Sequence, residues 1–337
     1  MSGQWPAQAT RRAVLASSSC AALVGCGQER TRPLYANDTH PADYPTVRAV
    51  VAMGEMLRER SGGRLSIKMF PGGQLGSERD TLEITVFGGL DVNRVNIAPL
   101  NSIEPLTLAP SLPFIFRSVS HMRRAMDGEP GERVLQSLEP HGLIGLCLYD
   151  SGARSFYNSK RAIHSPDDMH GLKFRVQNSD LHVAMVEALG ADATPMALGE
   201  VYQALAQGVI DGAENNWPSY ESGHHYEVAR FYSLTNHIQA PEVLVMSRRR
   251  WDKLSQDDRE LVKACAKDSV PIMRDMWDAR VASAREIIIG SGVEVNDIEN
   301  IEPFVESMRP VWRRFITTPE QEEVVAQIEA LGIEDHA

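Results

Sequence analysis

The sequence predicts an α/β protein with mostly parallel strands, folded as two domains joined by short chain crossings. Three observations carry this expectation. Past an N-terminal leader, segments of strand and helix character alternate along the whole chain, the pattern of parallel strands covered by crossover helices. The chain has 337 residues, a length that favours two domains over one. It carries no internal repeat, no low-complexity tract and no Ser/Gly linker, so two domains would be hinged together rather than tethered.

Taken in order, the leader comes first. In TRRAVLASSSCAALVGCGQE, Arg11 and Arg12 precede an apolar, small-residue run too short to span a bilayer as a permanent helix, which is the layout of an export signal. The arginine pair resembles a twin-arginine signal, and Leu23-Val24-Gly25-Cys26 resembles a lipobox. Residues 1–25 are therefore read as removed, with Cys26 as the lipid-bearing first residue of the mature chain. Pro45 to Arg60 then places Val47, Val50-Val51, Met53-Gly54 and Leu57 at helical spacing, Ser61-Gly62-Gly63 ends that helix, and Leu65 to Phe70 alternates as a strand. Ser77 caps a helix running to Phe87, and Val92 to Ile97 is a strand. Ser165-Pro166-Asp167-Asp168 is a helix start, and Leu172 to Gln177 alternates. The longest helical segment runs from Ser255 to Gly290, with Leu261, Cys265, Ile272, Met276 and Ala279 as its apolar stripe and Pro271 as a kink.

Composition excludes several classes. Hydrophobic residues make up 43% and charged residues 23% of the chain, as in ordinary globular proteins. With a net charge of -11 and no basic block, nothing attracts nucleic acid. Once Cys20 leaves with the signal and Cys26 takes lipid, Cys147 and Cys265 remain; both read as buried thiols, with a disulfide between them left open. No Cys/His spacing fits zinc. His224, His225, Glu227 and His237 crowd together but lack a His-Glu-x-x-His frame, so no metal is expected. There is no nucleophile elbow, and Phe70 to Glu78 lacks the Gly-Lys ending of a phosphate loop.

The residues that point to chemistry are two arginines on apolar strands. Arg154 shares parity with Phe156, and Arg175 alternates with Phe174 and Val176. A partly buried guanidinium needs an anion, and its planar fork matches a carboxylate or phosphate. An internal ion pair with one of the chain's acids is the competing explanation. Asn96, Asn178, Asn215 and Asn216 offer paired donors and acceptors suited to hydroxyls, and Trp217 a flat apolar face suited to a sugar ring. Together they describe a pocket for a polyhydroxylated acid.

The runs FPGGQLGSERD, SLPFIF, RSFYNSKRAIHSPDDMHGLKFRVQNSD and GADATPMALGEVYQALAQGVIDGAENNWPSYES resemble the solute-binding proteins of tripartite ATP-independent periplasmic (TRAP) transporters, from Asn37 to the C-terminal helices. The resemblance implies a type II periplasmic-binding-protein fold with a hinge cleft and a long helix spanning both lobes. Residues 31–152 and 238–280 would form lobe I, and 153–237 and 281–337 lobe II. It implies a periplasmic, cofactor-free receptor that is not an enzyme and that serves the TRAP membrane subunits, with Arg175 as the main carboxylate clamp assisted by Arg154 and Asn215. VQNSDL, GAENNWPSYES and the stretch Asp38 to Pro45 are similar to the hexuronate-binding members, for glucuronate or galacturonate. His40, Asp43, Glu78, Asn96 and Trp217 then become candidates for ring hydroxyls, and Asn178 and His237 complete the candidate ligand-binding set. Two other readings remain at this point: a periplasmic uronide-acting enzyme using Glu78, Glu214 or His237, and the sensing subunit of a signalling system.

Overall fold

The computed structural model describes residues 32–332. The expected export signal, residues 1–25, and Cys26 lie outside the described residues. Nine strands, β1 (Leu34–Asn37), β2 (Ile67–Phe70), β3 (Val92–Asn96), β4 (Leu143–Asn158), β5 (Lys173–Val176), β6 (Asp192–Pro195), β7 (Gly212–Asn215), β8 (Phe231–Ser247) and β9 (Glu294–Asp297), make one sheet among the described residues. The strand order is β2-β1-β3-β8-β4-β7-β5-β6, with β9 beside β8. Two lobes arise because β4 and β8 are long enough to serve both. One end of β8 pairs with β3 (Asn96 opposite Glu242), and one end of β4 pairs with β7 (Ser155 opposite Asn215).

The outer pairs β1–β2, β1–β3, β5–β6, β5–β7 and β8–β9 are parallel, as expected from the alternation. The central pairs β3–β8, β4–β8 and β4–β7 are antiparallel. Parallel pairing follows from local crossovers, whereas β8 returns across the molecule in the opposite sense, which local periodicity does not encode. The β4–β8 register shifts between Asp150 and Ala153, the kind of irregularity that bends a ladder. Gly152 sits there at φ 60°, and an added Cβ would lie 3.1 Å from the Trp277 ring nitrogen. Only glycine takes that conformation without strain.

Three apolar clusters fill the body. Val47, Val50, Met53 and Leu57 on the helix Pro45–Arg60 pack with β1, β3 and the long helix in the first lobe. Each such buried side chain is worth about 1.5–3 kcal/mol. Tyr157, Ala213, Tyr220 and Tyr232 centre the second lobe, joined by Ala284 and Ile288 of the long helix. A third cluster runs through both lobes, from Val95 and Val243 to Phe156, Phe174 and Phe304.

The long helix Gln256–Gly290 has 35 residues and contributes to both lobes. Its buried stripe is Val262, Cys265, Ala266, Ser269, Val270, Met273, Trp277, Ala284 and Ile288. The expected stripe is correct at Cys265, and Leu261 and Met276 pack half-buried against the same cluster, whereas Ile272 and Ala279 are exposed, because the 3.6-residue period from Cys265 runs to Ser269, Met273 and Trp277. Ser77 and Asp80 form a capping box for the helix Glu78–Phe87, as the sequence predicts. Ser165-Pro166 opens only a 3-10 turn, Pro166–Met169. Cys147 and Cys265 are free and buried, so the disulfide left open by the sequence is not formed.

The C-terminal helix Pro319–Leu331 docks on the segments Pro105–Ser111 and Val119–Asp127. Gln321 Nε2 donates to the Pro105 carbonyl at 2.8 Å, and the His121 ring meets the Ile328 carbonyl at 2.7 Å. Val324 and Ile328 join the shared cluster beside Leu106 and Leu108. The preceding helix Glu302–Phe315 adds Phe304, Met308 and Val311 to it. Among the described residues no helix is long and apolar enough to cross a membrane.

Candidate functional site

A cleft opens where the ends of β3, β5 and β7 meet the middle stretches of β4 and β8. Its inner part is bounded by His40, Glu78, Arg94, Asn96 and Glu242 from one lobe and Arg154, Arg175, Gln177, Asn215 and Ser219 from the other, with Ser151 and Leu198. Outward it widens into a cavity of about 320 Å³ that shares Glu78, Arg175, Gln177 and Leu198 and adds Asn178, Met196 and the glycines Gly72, Gly73 and Gly76. The lobes touch across it: the Tyr44 hydroxyl lies 2.8 Å from Ser219 Oγ, and the His40 ring stacks on the Tyr44 ring with centroids 3.9 Å apart.

The two arginines chosen from the sequence have opposite fates. Arg154 is the internal ion pair. Its Nη2 donates to Glu214 Oε1 at 2.7 Å and to the Glu214 carbonyl at 2.8 Å, its Nη1 to Asn215 Oδ1 at 2.8 Å, and its Nε to Glu214 Oε2. Burial works against both charges, yet mutual attraction dominates, holding Glu214 well below the usual carboxylate range and Arg154 above its ordinary value. Behind them, burial pushes His182 down to about 4 and lowers His237, so both rings are neutral near pH 7.

Arg175 is 3% exposed, and its Nε donates to the Met196 carbonyl at 2.9 Å. Among the described residues its two terminal nitrogens meet no carboxylate and no other acceptor, and they face the cleft, since the side chain bounds both its inner and outer parts. Burial holds the guanidinium below the ordinary arginine range, with the nearby Glu214 carboxylate pulling the other way. A buried cation without a counter-charge is costly to a fold and creates demand for an anion from outside it.

The opposite wall is acidic. Arg94 is fully buried, with Nη1 donating to Glu242 at 2.6 Å and Glu78 at 2.9 Å and Nη2 to Asp38 and to Thr39 at 3.2 Å. Asn96 donates from its side chain to Glu242 Oε1 at 3.1 Å and from its backbone to Glu78 Oε1, also at 3.1 Å. Although burial opposes its charge, Asp38 lies well below the usual carboxylate range because of Arg94 and His40. Glu78 is raised, chiefly by burial and despite Arg94.

Of the residues predicted from the sequence, the fold thus gathers Arg175, Arg154, Asn215, Asn96, Glu78, His40 and Asn178 around one cleft. It does not bring Asp43, Trp217 or His237 to that wall. Asp43 is exposed and reaches Arg280 at 3.5 Å. Trp217 packs on Tyr232, with ring centroids 4.4 Å apart. His237 stacks on Phe156 at 4.2 Å and meets Thr235 Oγ1 at 2.8 Å, behind Glu214. Arg94, Gln177, Glu242, Ser151 and Ser219 were missed. Two were legible: Arg94 is two positions from Asn96 and Gln177 two from Arg175, so strand parity puts each pair on one face. Gln177 Oε1 is buried without a partner among the described residues. No group of residues suited to a metal ion occurs among the described residues.

This combination, two lobes on shared strands and a cleft with an anion-seeking arginine, defines a receptor for a small acidic solute. Residues 36–318 match the family model for bacterial extracellular solute-binding proteins, family 7 (DctP), and the chain belongs to that family, whose members include the TRAP solute-binding proteins. A solute-binding protein of Chromohalobacter salexigens is 42% identical over 291 residues, covering 86% of this chain and 87% of the relative. Among solved structures, a TRAP periplasmic solute-binding protein of Bradyrhizobium sp. BTAi1, in complex with α/β-D-galacturonate, superposes with a TM-score of 0.88 at 50% identity, covering 89% of this chain and all (100%) of that one. One from Chromohalobacter salexigens with bound D-glucuronate gives 0.86 at 41% identity, covering 88% and 99%.

Proposed function

We propose that this protein captures a hexuronate, D-galacturonate or D-glucuronate, outside the cytoplasm and delivers it to the membrane subunits of a TRAP transporter. The observation that carries this is the buried, unpaired Arg175 fork at the cleft. A uronate carboxylate supplies the missing counter-charge in bidentate geometry, while the Asn215 amide and Gln177 Oε1 are left for hydroxyls. The uronates bound by relatives at 50% and 41% identity support the same reading.

The enzyme alternative is disfavoured by the state of Glu214. Glu214 is fixed by Arg154 behind the cleft, so it is not placed as a free proton carrier, and the solute-binding family to which the chain belongs supports a receptor instead. We assign residues 31–152 and 238–280 to the first lobe and 153–237 with the segment from 281 to the second. The helix Pro319–Leu331 goes with the first lobe, on which it docks. Lipid attachment at Cys26 is part of the proposal, checked by an acyl mass increment on that residue.

Thermal unfolding with galacturonate, glucuronate, gluconate, glucose and succinate tests the ligand. A ligand at 100 times its dissociation constant adds about 2.7 kcal/mol, a shift of several degrees. The expected result is a shift with the uronates and none with glucose; a shift only with succinate would discard the sugar.

A further inference from the structure

The cleft is electrically polar across its width. On the second-lobe side stands the unpaired Arg175, beside an Arg154–Glu214 pair that cancels itself. On the first-lobe side, one cation, Arg94, is shared by three carboxyl groups, Asp38, Glu78 and Glu242, so the acids outnumber the base even though burial raises the Glu78 carboxyl and favours its neutral form. Asp38 is consumed internally, accepting from Thr46 Oγ1 at 2.6 Å and the His40 amide at 2.9 Å. Glu78 and Glu242 border the inner cleft, and Glu78 Oε2 accepts no hydrogen bond among the described residues. Both Arg94 terminal nitrogens are already taken by these acids. The wall therefore presents acceptors to the ligand, to which hydroxyls can donate and a second carboxylate cannot.

We propose that Glu242 and Glu78, held by Arg94, are specificity-determining residues that admit acids with one carboxylate and a hydroxylated far end and exclude hexarates, the sugar diacids carrying a carboxylate at both ends. This rests on the reading that Arg175 takes the single carboxylate. With that end fixed, the far end of a six-carbon chain meets the acidic wall, and like charges in a desolvated site repel strongly. A hydroxyl at the same place donates to a carboxylate, a charge-assisted bond.

Calorimetric titration of the full mature protein with galacturonate and with galactarate at pH 7.5 decides it. The expected result is galactarate at least 100-fold weaker. In Glu242→Gln and, separately, Glu78→Gln, Arg94 keeps two carboxylates; each variant is expected to bind galacturonate more weakly and to narrow the gap to about tenfold. Galactarate within threefold of galacturonate on the unmodified protein would overturn the proposal while leaving the uronate reading intact. Binding of neither these acids nor glucuronate would overturn the uronate reading, and this inference with it. A gap that stays at 100-fold in both variants would show that shape, not charge, excludes the diacid.

Discussion

Replacing Arg175 and Arg154 one at a time separates a side chain that waits for ligand from one that holds the fold. Arg175→Met removes a buried cation whose terminal nitrogens have no acceptor among the described residues. In the complex, the ligand carboxylate would be left desolvated and unpaired, an effect of about 3–5 kcal/mol, or roughly 10²–10⁴-fold in affinity. In the unliganded protein the same change relieves a desolvated charge, so the unfolding midpoint should hold or rise. Arg154→Met instead strips the Glu214 carboxylate of a hydrogen bond at 2.7 Å and a shorter one, and the Glu214 carbonyl and Asn215 Oδ1 of one each at 2.8 Å. The buried carboxylate left behind should cost about 3–5 kcal/mol of stability, roughly 5–10 °C for a protein of this size. Calorimetric titration with galacturonate and thermal unfolding without it read the two effects. Equal losses of unliganded stability in the two variants would refute the distinction, as would Arg175→Met binding galacturonate within threefold of the unmodified protein.

Further outcomes follow from the same contacts. His182 and His225 are buried and pushed down to about 4 and about 3, so the unfolded chain takes up protons that the native state refuses. The stability they contribute is complete above about pH 6.5 and falls as pH drops toward 4, by about 1.4 kcal/mol per pH unit for each ring; equal urea midpoints at pH 7.5 and 5.0 would contradict this. Tyr44→Phe removes one of the hydrogen bonds between the lobes and should weaken uronate binding about fivefold, as about 1 kcal/mol requires, a loss that calorimetry resolves. In Gly212→Ala the new Cβ would fall 2.3 Å from the Tyr157 carbonyl oxygen, so the strand must shift, and the urea midpoint should drop by the equivalent of about 1–3 kcal/mol.

How far the sequence reveals this molecule depends on the range of each contact. Helix boundaries at Pro45, Glu78 and Gln256 follow from caps and prolines a few residues away, and the structure places those starts accordingly. Arg175 was legible because its own strand neighbours are apolar. What distinguishes it from Arg154 was not legible, since that depends on Glu214, 60 positions along the chain from Arg154. Glu242 was invisible for the same reason; it reaches the cleft because its strand lies antiparallel to β3, opposite Asn96. Trp217 and His237 were misread because aromatic and imidazole rings serve a core as readily as a sugar, and in this fold Tyr232 and Phe156 claim them.

The return of the last helix to the first lobe has a consequence in time. Pro105 and Gln321, which it joins, are 216 positions apart. A ribosome adding about 5–20 residues per second needs roughly 10–40 s to span that interval. Through that wait Leu106 and Leu108 lack the Val324 and Ile328 side chains that complete their cluster. The lobe synthesised first is thus the lobe finished last, and a nascent chain of this protein offers a sticky groove until its final turn of helix emerges.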